Sequence, residues 1–83
     1  MNYIDYENWA EEYRQQVEIL DRKLFGRYKR QFFPSPEART VYENTTRILE
    51  EMRRECVKTY ITLRKRARKI KEDEQYGKNF IAQ

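Results

Sequence analysis

One short segment, Phe32-Phe33-Pro34-Ser35-Pro36, constrains the fold of this 83-residue chain more than any other feature. Pro34 disfavours helical geometry at Phe33. Ser35 is a good N-cap, and Pro36 suits the first position of a helix. The segment, at residues 32–36, therefore predicts the end of one helix and the start of another, and a long amphipathic stretch flanks it on each side.

The first stretch predicts a helix over residues 5–31, capped by Asp5. Its apolar residues recur at steps of three and four, which keeps them on one side of a helix. Gly26 is the weak point, because glycine in a helix interior costs about 1 kcal/mol relative to alanine. Tyr28 keeps the apolar phase, so we expect the helix to continue to Gln31. The predicted stripe is Tyr6, Ala10, Tyr13, Val17, Leu20, Leu24 and Tyr28.

The second stretch predicts a longer helix over residues 36–75. Its apolar stripe has a mean spacing near 3.6 residues, which is typical of a helix that faces a core. Gly77 is the expected stop, and residues 76–83 are expected to form a frayed tail. The predicted stripe is Val41, Thr45, Leu49, Met52, Cys56, Tyr60, Leu63, Ala67 and Ile70.

A short connection makes two helices antiparallel neighbours, so the predicted fold is an all-α hairpin. If the connection is tight, the numbers of facing residues add to about 67 or 68, and the second helix overhangs the first from Arg64 onward. Two helices bury only part of each stripe, so we expect a homodimer that forms a four-helix bundle. A groove for a different protein's helix is the alternative. The expected core or interface residues are Tyr13, Val17, Leu20, Leu24, Leu49, Met52, Cys56 and Leu63.

A basic segment over residues 64–71 is the sharpest local signal. Binding of phosphate groups by a charged helix is one interpretation, with nucleic acid as the ligand. A solvated helix end is the other, because three acidic residues follow at 72–74 and the acidic first turns of helix 1 are expected nearby. The six cations are Arg64, Lys65, Arg66, Arg68, Lys69 and Lys71.

A second group of cations lies at the opposite end of the first helix. The hairpin is expected to bring it close to Glu37 and Glu43 of the second helix, so we expect much of this group to be paired. One hairpin could not merge the two basic groups into a single patch. The second group is Arg22, Lys23, Arg27, Lys29 and Arg30.

The composition argues against catalysis. The chain has no histidine, and its single cysteine, Cys56, falls on the apolar stripe. Histidine-based nucleophile and base sets therefore cannot form. Gly26 and Gly77 are the only glycines, which leaves no glycine-rich phosphate loop. We expect a protein that is not an enzyme, with no metal site and no cofactor.

The sequence carries no signal-peptide pattern and no apolar run near the roughly 20 residues that a membrane span needs. We therefore expect a cytoplasmic protein without a membrane span. The functional hypothesis is a small regulatory or interaction protein that binds another macromolecule, with a protein as the expected partner. The alternative is a charge-driven nucleic-acid-binding protein that uses the basic segment.

Overall fold

A computed structural model of the chain describes residues 2–81, with side chains from residue 2 to residue 75. It contains two helices, α1 at Tyr3–Phe25 and α2 at Pro36–Ile81, and no strand within those residues. The helices pack against each other as a hairpin of 73 × 17 × 15 Å. The predicted all-α hairpin is confirmed.

The start of α1 is set by Asn2 rather than by Asp5. The side-chain oxygen of Asn2 accepts a hydrogen bond from the backbone N–H of Asp5 at 3.0 Å, and the Asp5 carboxylate accepts one from the Asn2 N–H at 3.2 Å. This reciprocal pair is a capping box, which satisfies two free N–H groups of the first turn. The helix therefore begins two residues earlier than predicted.

The predicted continuation of α1 to Gln31 is wrong. The helix ends at Phe25, and Gly26 caps it with φ of −87° and ψ of −6°. The backbone N–H of Arg27 donates to the Leu24 carbonyl at 2.9 Å, which tightens the last turn before the chain leaves the helix. Residues 26–35 then form a non-helical turn segment.

The turn segment is built on one side chain of α2, Tyr42. The Arg27 guanidinium lies 4.0 Å from the centre of the Tyr42 ring, and the Phe33 ring centre lies 5.2 Å from it. The Gln31 amide donates to the Tyr42 hydroxyl at 2.6 Å. These tertiary contacts replace the weak helix that the sequence around Gly26 would otherwise continue.

The start of α2 is confirmed and its end is not. The Ser35 hydroxyl accepts a hydrogen bond from the Ala38 N–H at 3.1 Å, and Pro36 is the first helical residue. At the other end, the helix continues through Gly77 to Ile81. A single glycine costs only about 1 kcal/mol in a helix interior, and no proline follows it to force a stop. The expected frayed tail is thus helical to residue 81, and the last two residues lie outside the described part.

The register of the hairpin also differs from the prediction. The numbers of facing residues add to 73 or 74, where a tight connection predicts about 67 or 68. The offset arises because residues 26–35 fold back beside the first turns of α2 instead of extending α1. The contacts that show the register join Tyr3 to Lys71, Asp21 to Arg53, and Arg27 to Thr46.

This register moves the basic segment. Because Tyr3 of the first turn lies beside Lys71, α1 covers α2 as far as Lys71. The predicted overhang from Arg64 is therefore wrong. Residues 64–71 lie beside the first turns of α1, and only the part of α2 beyond Lys71 extends past that helix.

The core is small and lies along the line where the helices touch. Two of its residues are alanines, Ala10 and Ala67, which are 0% and 1% exposed. Small side chains on the inward sides of both helices allow the two backbones to approach closely at this end of the hairpin. The five buried residues in the described part of the chain are Ala10, Leu20, Leu24, Leu63 and Ala67.

Although α2 is 46 residues long, it has no long uninterrupted apolar stretch. Charged side chains recur in nearly every turn from Glu37 to Glu74. Over residues 2–81, neither helix is both long enough and apolar enough to cross a membrane.

Candidate binding surfaces

Much of the large apolar side-chain area lies at the surface. Val41, Ile48 and Met52 are 65%, 56% and 49% exposed. Steps of seven and four residues place these three on one side of α2. Helical periodicity puts Trp9 of α1, which is 41% exposed, on the same side of the hairpin. We call these four residues the apolar face.

The residues expected at a core or interface lie at three depths. Some are fully enclosed between the two helices, some are half-buried at the edge of the contact, and Met52 is half-exposed on the apolar face. The buried ones are Leu20, Leu24 and Leu63, and the half-buried ones are Tyr13, Val17, Leu49 and Cys56.

Near the N-terminal end of α2, the residues that face inward differ from the predicted apolar stripe. The apolar pattern placed Val41 and Thr45 on this stripe, but both are exposed. Tyr42 and Thr46 take the inward positions, where both are half-buried against Arg27. Sequence reasoning missed Tyr42 because its partners come from a turn that was expected to be helical.

The basic segment presents all six of its cations to solvent. Ala67 is buried and Ile70 is half-buried, so the segment is fixed to α1 by its apolar side. Lys71 lies over the Tyr3 ring with its Nζ 5.6 Å from the ring centre, a cation–π distance. Among the side chains described, residues 2–75, none of these six cations forms an ion pair.

Acidic residues of α1 face the basic segment without contacting it. Arg14 binds both Glu11 and Glu18 at 2.6 Å, so part of the acidic charge is already neutralised within α1. The hydrogen bonds from Arg14 hold the pKa of Glu11 below its usual value, and the field of Arg64 makes a smaller contribution. Arg64 therefore attracts the Glu11 carboxylate over a longer distance than that of an ion pair.

The second basic group is free of the partners expected for it. Glu43 instead accepts a hydrogen bond from Arg39 at 2.9 Å, and no ion pair within residues 2–75 joins this group to Glu37 or Glu43. The predicted pairing is therefore wrong. Arg27 is half-buried in the turn, whereas the other four cations of the group are exposed: Arg22, Lys23, Lys29 and Arg30.

Exposed aromatic rings accompany these cations. Phe25 is 75% exposed, Tyr28 is 66% exposed and Phe32 is fully exposed. The Nζ of Lys29 lies 5.4 Å from the centre of the Phe25 ring. We call residues 22–33 the turn end of the hairpin.

An open groove of about 670 Å³ lies between the helices near the turn end. Leu24 and Phe25 line one wall and Val57 lines the other. An ion pair between Asp21 and Arg53 crosses the groove, and its hydrogen bond raises the pKa of Arg53. Since the two charges satisfy each other, the groove offers apolar contact and little net charge.

Three surfaces stand out on the described part of the hairpin: the apolar face, the basic segment and the turn end. No protein-family model matches the chain, and neither a characterised protein nor a solved structure is significantly similar to it. The functions of these surfaces follow from their own geometry and charge.

Proposed function

We propose that this chain is a small helical binding protein rather than an enzyme, and that its apolar face associates with protein, in the first place with a second copy of the chain. The observation that carries the proposal is the imbalance between core and surface. Five small or medium side chains are buried, whereas the apolar face alone displays a tryptophan, a valine, an isoleucine and a methionine.

The exposed area sets an upper limit on the area of the missing contact. The chain exposes 7139 Å², whereas a compact monomer of 10.4 kDa exposes about 5,400 Å². The excess is about 1,700 Å² per chain. Obligate homodimers bury roughly 2,000–5,000 Å² from both partners together. A contact between two copies that covered the excess on each would therefore fall within the obligate range.

A four-helix bundle is the arrangement that best uses this face. Two antiparallel hairpins that pack through it would enclose side chains now half-buried at the edge of the contact, among them Tyr13 and Cys56. Each copy would also carry its own basic segment and its own turn end. The dimer would thus act as a regulatory or scaffold protein with two copies of each charged surface.

Thermal unfolding at several protein concentrations tests the proposal. An obligate dimer has a thermal midpoint that rises with concentration, because dissociation accompanies unfolding. We expect Ile48→Asp to lower the midpoint strongly, and Ile61→Asp to leave it nearly unchanged, since Ile61 is 45% exposed on another side of α2. A wild-type midpoint that does not depend on concentration would overturn the proposal.

Nucleic-acid binding by the basic segment is the second candidate. It is favoured by the six exposed cations that have no ion-pair partner among the described side chains. Such binding would depend on charge, so the logarithm of the affinity would fall linearly with the logarithm of the salt concentration.

A gel-shift titration with salt separates this candidate from the first. With a duplex as the probe, exchange of Arg64, Lys65 and Arg66 for glutamate should abolish binding. A control with the same charge change at Arg47, Arg54 and Lys58 should retain most of it. If the wild-type chain retards no nucleic acid at low salt, the second candidate fails while self-association stands.

A further inference from the structure

The turn end concentrates positive charge without local compensation. Residues 22–33 contain five cations and no acidic residue. Arg27 is committed to Thr46 and the Tyr42 carbonyl, at 2.8 and 3.2 Å. Three exposed cations have no ion pair among the described side chains, namely Lys23, Lys29 and Arg30, whereas Arg22 lies 3.8 Å from Glu18. An anion at this end would therefore meet charge that the described fold leaves unused.

The turn displays its exposed rings and cations from a fixed backbone. Some side chains of the turn contact α2, and others point to solvent. Arg27 and Gln31 contact Tyr42, whereas Tyr28, Arg30 and Phe32 are exposed. A ligand that used the exposed set would not have to order the turn first, which lowers the entropic cost of binding.

A concavity beside Phe32 combines positive charge with aromatic side chains. Its volume is about 510 Å³, within the range of about 300–1,000 Å³ that small ligands or ligand fragments occupy. Lys29, Arg30 and Arg39 contribute cations to its lining, and Phe32 and Phe33 contribute ring surface. The lining includes one carboxylate, that of Glu43, which already binds Arg39.

We infer that the turn end is a binding site for single-stranded nucleic acid. A phosphate would lie beside Lys29 and Arg30, and a base would stack on the fully exposed ring of Phe32. Planar bases that are free to stack are a property of single strands, because a duplex keeps its bases stacked on one another. An anionic bilayer offers the same phosphate charge but no planar base that could stack on the Phe32 ring.

This site is distinct from both surfaces of the proposed function. It lies outside the apolar face, so it does not depend on self-association. It also differs from the basic segment, which offers charge and should accept any polyanion. The turn end adds exposed rings, so it should prefer a single strand to a duplex of equal length.

Fluorescence anisotropy with a labelled oligothymidylate of about 12 nucleotides tests the inference against a duplex of equal length. We expect the wild-type chain to bind the single strand more tightly. Phe32→Ala should weaken that binding by about 5- to 150-fold, which is the range for the loss of one stacked base. Phe32→Trp should restore it, and Ile61→Ala, which removes an exposed apolar side chain elsewhere, should have no effect.

A charge pair of variants completes the test. Lys29→Glu with Arg30→Glu should abolish the preference for the single strand over the duplex, whereas glutamate at Arg64, Lys65 and Arg66 should leave that preference intact. Equal affinity for single strand and duplex would overturn the inference, as would an unchanged affinity in Phe32→Ala. Binding to anionic phospholipid vesicles without binding to the oligonucleotide would overturn it in favour of a membrane-surface role. None of these outcomes bears on the mass of the dimer.

Discussion

The two ends of the hairpin are held together in opposite ways. At the far end, where residues 3–12 lie beside residues 63–71, the buried alanines Ala10 and Ala67 let the helices approach. At the turn end, the large ring of Tyr42 gathers a guanidinium, an amide and a second ring. The far end thus depends on small side chains that let the helices meet, whereas the turn end depends on the contacts of one large side chain.

The two ends also differ in whether carboxylates lie near their cations. At the far end, cations of α2 face the carboxylates of α1, so the two sets attract across the helix pair. At the turn end, five cations stand together without an acidic residue in residues 22–33. The turn end therefore has more to gain from an outside anion, although the basic segment at the far end is the more obvious feature of the sequence.

Removal of the Tyr42 ring should have the largest effect. Tyr42→Ala deletes the ring contacts with Arg27 and Phe33 and the hydrogen bond from Gln31, so we expect a loss of about 3 kcal/mol in the free energy of unfolding. Chemical denaturation measures it. Tyr42→Phe keeps the rings in contact and should lose only about 1 kcal/mol. Equal losses in the two variants would show that the ring does not organise the turn end.

Added volume at the far end should come next. Ala67→Leu forces extra methyl groups into a contact with no space, and we expect a loss of about 1–3 kcal/mol. The same leucine at Thr62, an exposed position in α2, should change stability little. If Ala67→Leu proved neutral, the helices would not be in close contact at this end.

A smaller gain in stability is expected from Gly26→Ala. The backbone of Gly26 has a negative φ, and no atom lies within 4 Å of the position that a Cβ would take. Alanine should fit there and stabilise the fold by about 0.4–1 kcal/mol, because it restricts the unfolded chain. Denaturation of the variant beside the wild-type chain checks this, and a destabilised variant would contradict the geometry of the turn.

The smallest effect should come from Glu11→Gln at the far end, and it should depend on pH. The pKa of Glu11 is lowered from 4.5, so its stabilisation is present at pH values above 4.5 and is lost as the pH falls through the lowered value. The variant should therefore melt slightly below the wild-type chain at neutral pH and equal it in strong acid. A difference between the two melting temperatures that stayed the same at every pH would contradict this assignment.

The sequence predicts the start of α2 well because the signal is local. Ser35 and Pro36 act on the turn that contains them, and their contacts need no other part of the fold. The end of α1 was predicted wrongly because it is decided by Tyr42, which lies 17 residues beyond Phe25 in the chain. Apolar spacing could not show that the chain would leave the helix to reach that ring.

The misplaced basic segment follows from the same error. An extended α1 implies a tight connection, and a tight connection implies that residues from Arg64 onward overhang. Once residues 26–35 fold back along α2, the register shifts by about two helical turns, and the basic segment falls beside α1. The sequence also could not predict that the rings of Phe25 and Phe32 are exposed, because a pattern of residue types does not show which aromatic side chains the turn leaves in solvent.

The central claim is that the apolar face is covered by a second copy of the chain. Light scattering of the purified wild-type protein during gel filtration measures the mass in solution most directly. We predict twice the chain mass of 10.4 kDa, with helical content that matches α1 and α2. A mass of one chain with the same helical content would contradict the claim, because the hairpin would then be stable with Val41, Ile48 and Met52 in water.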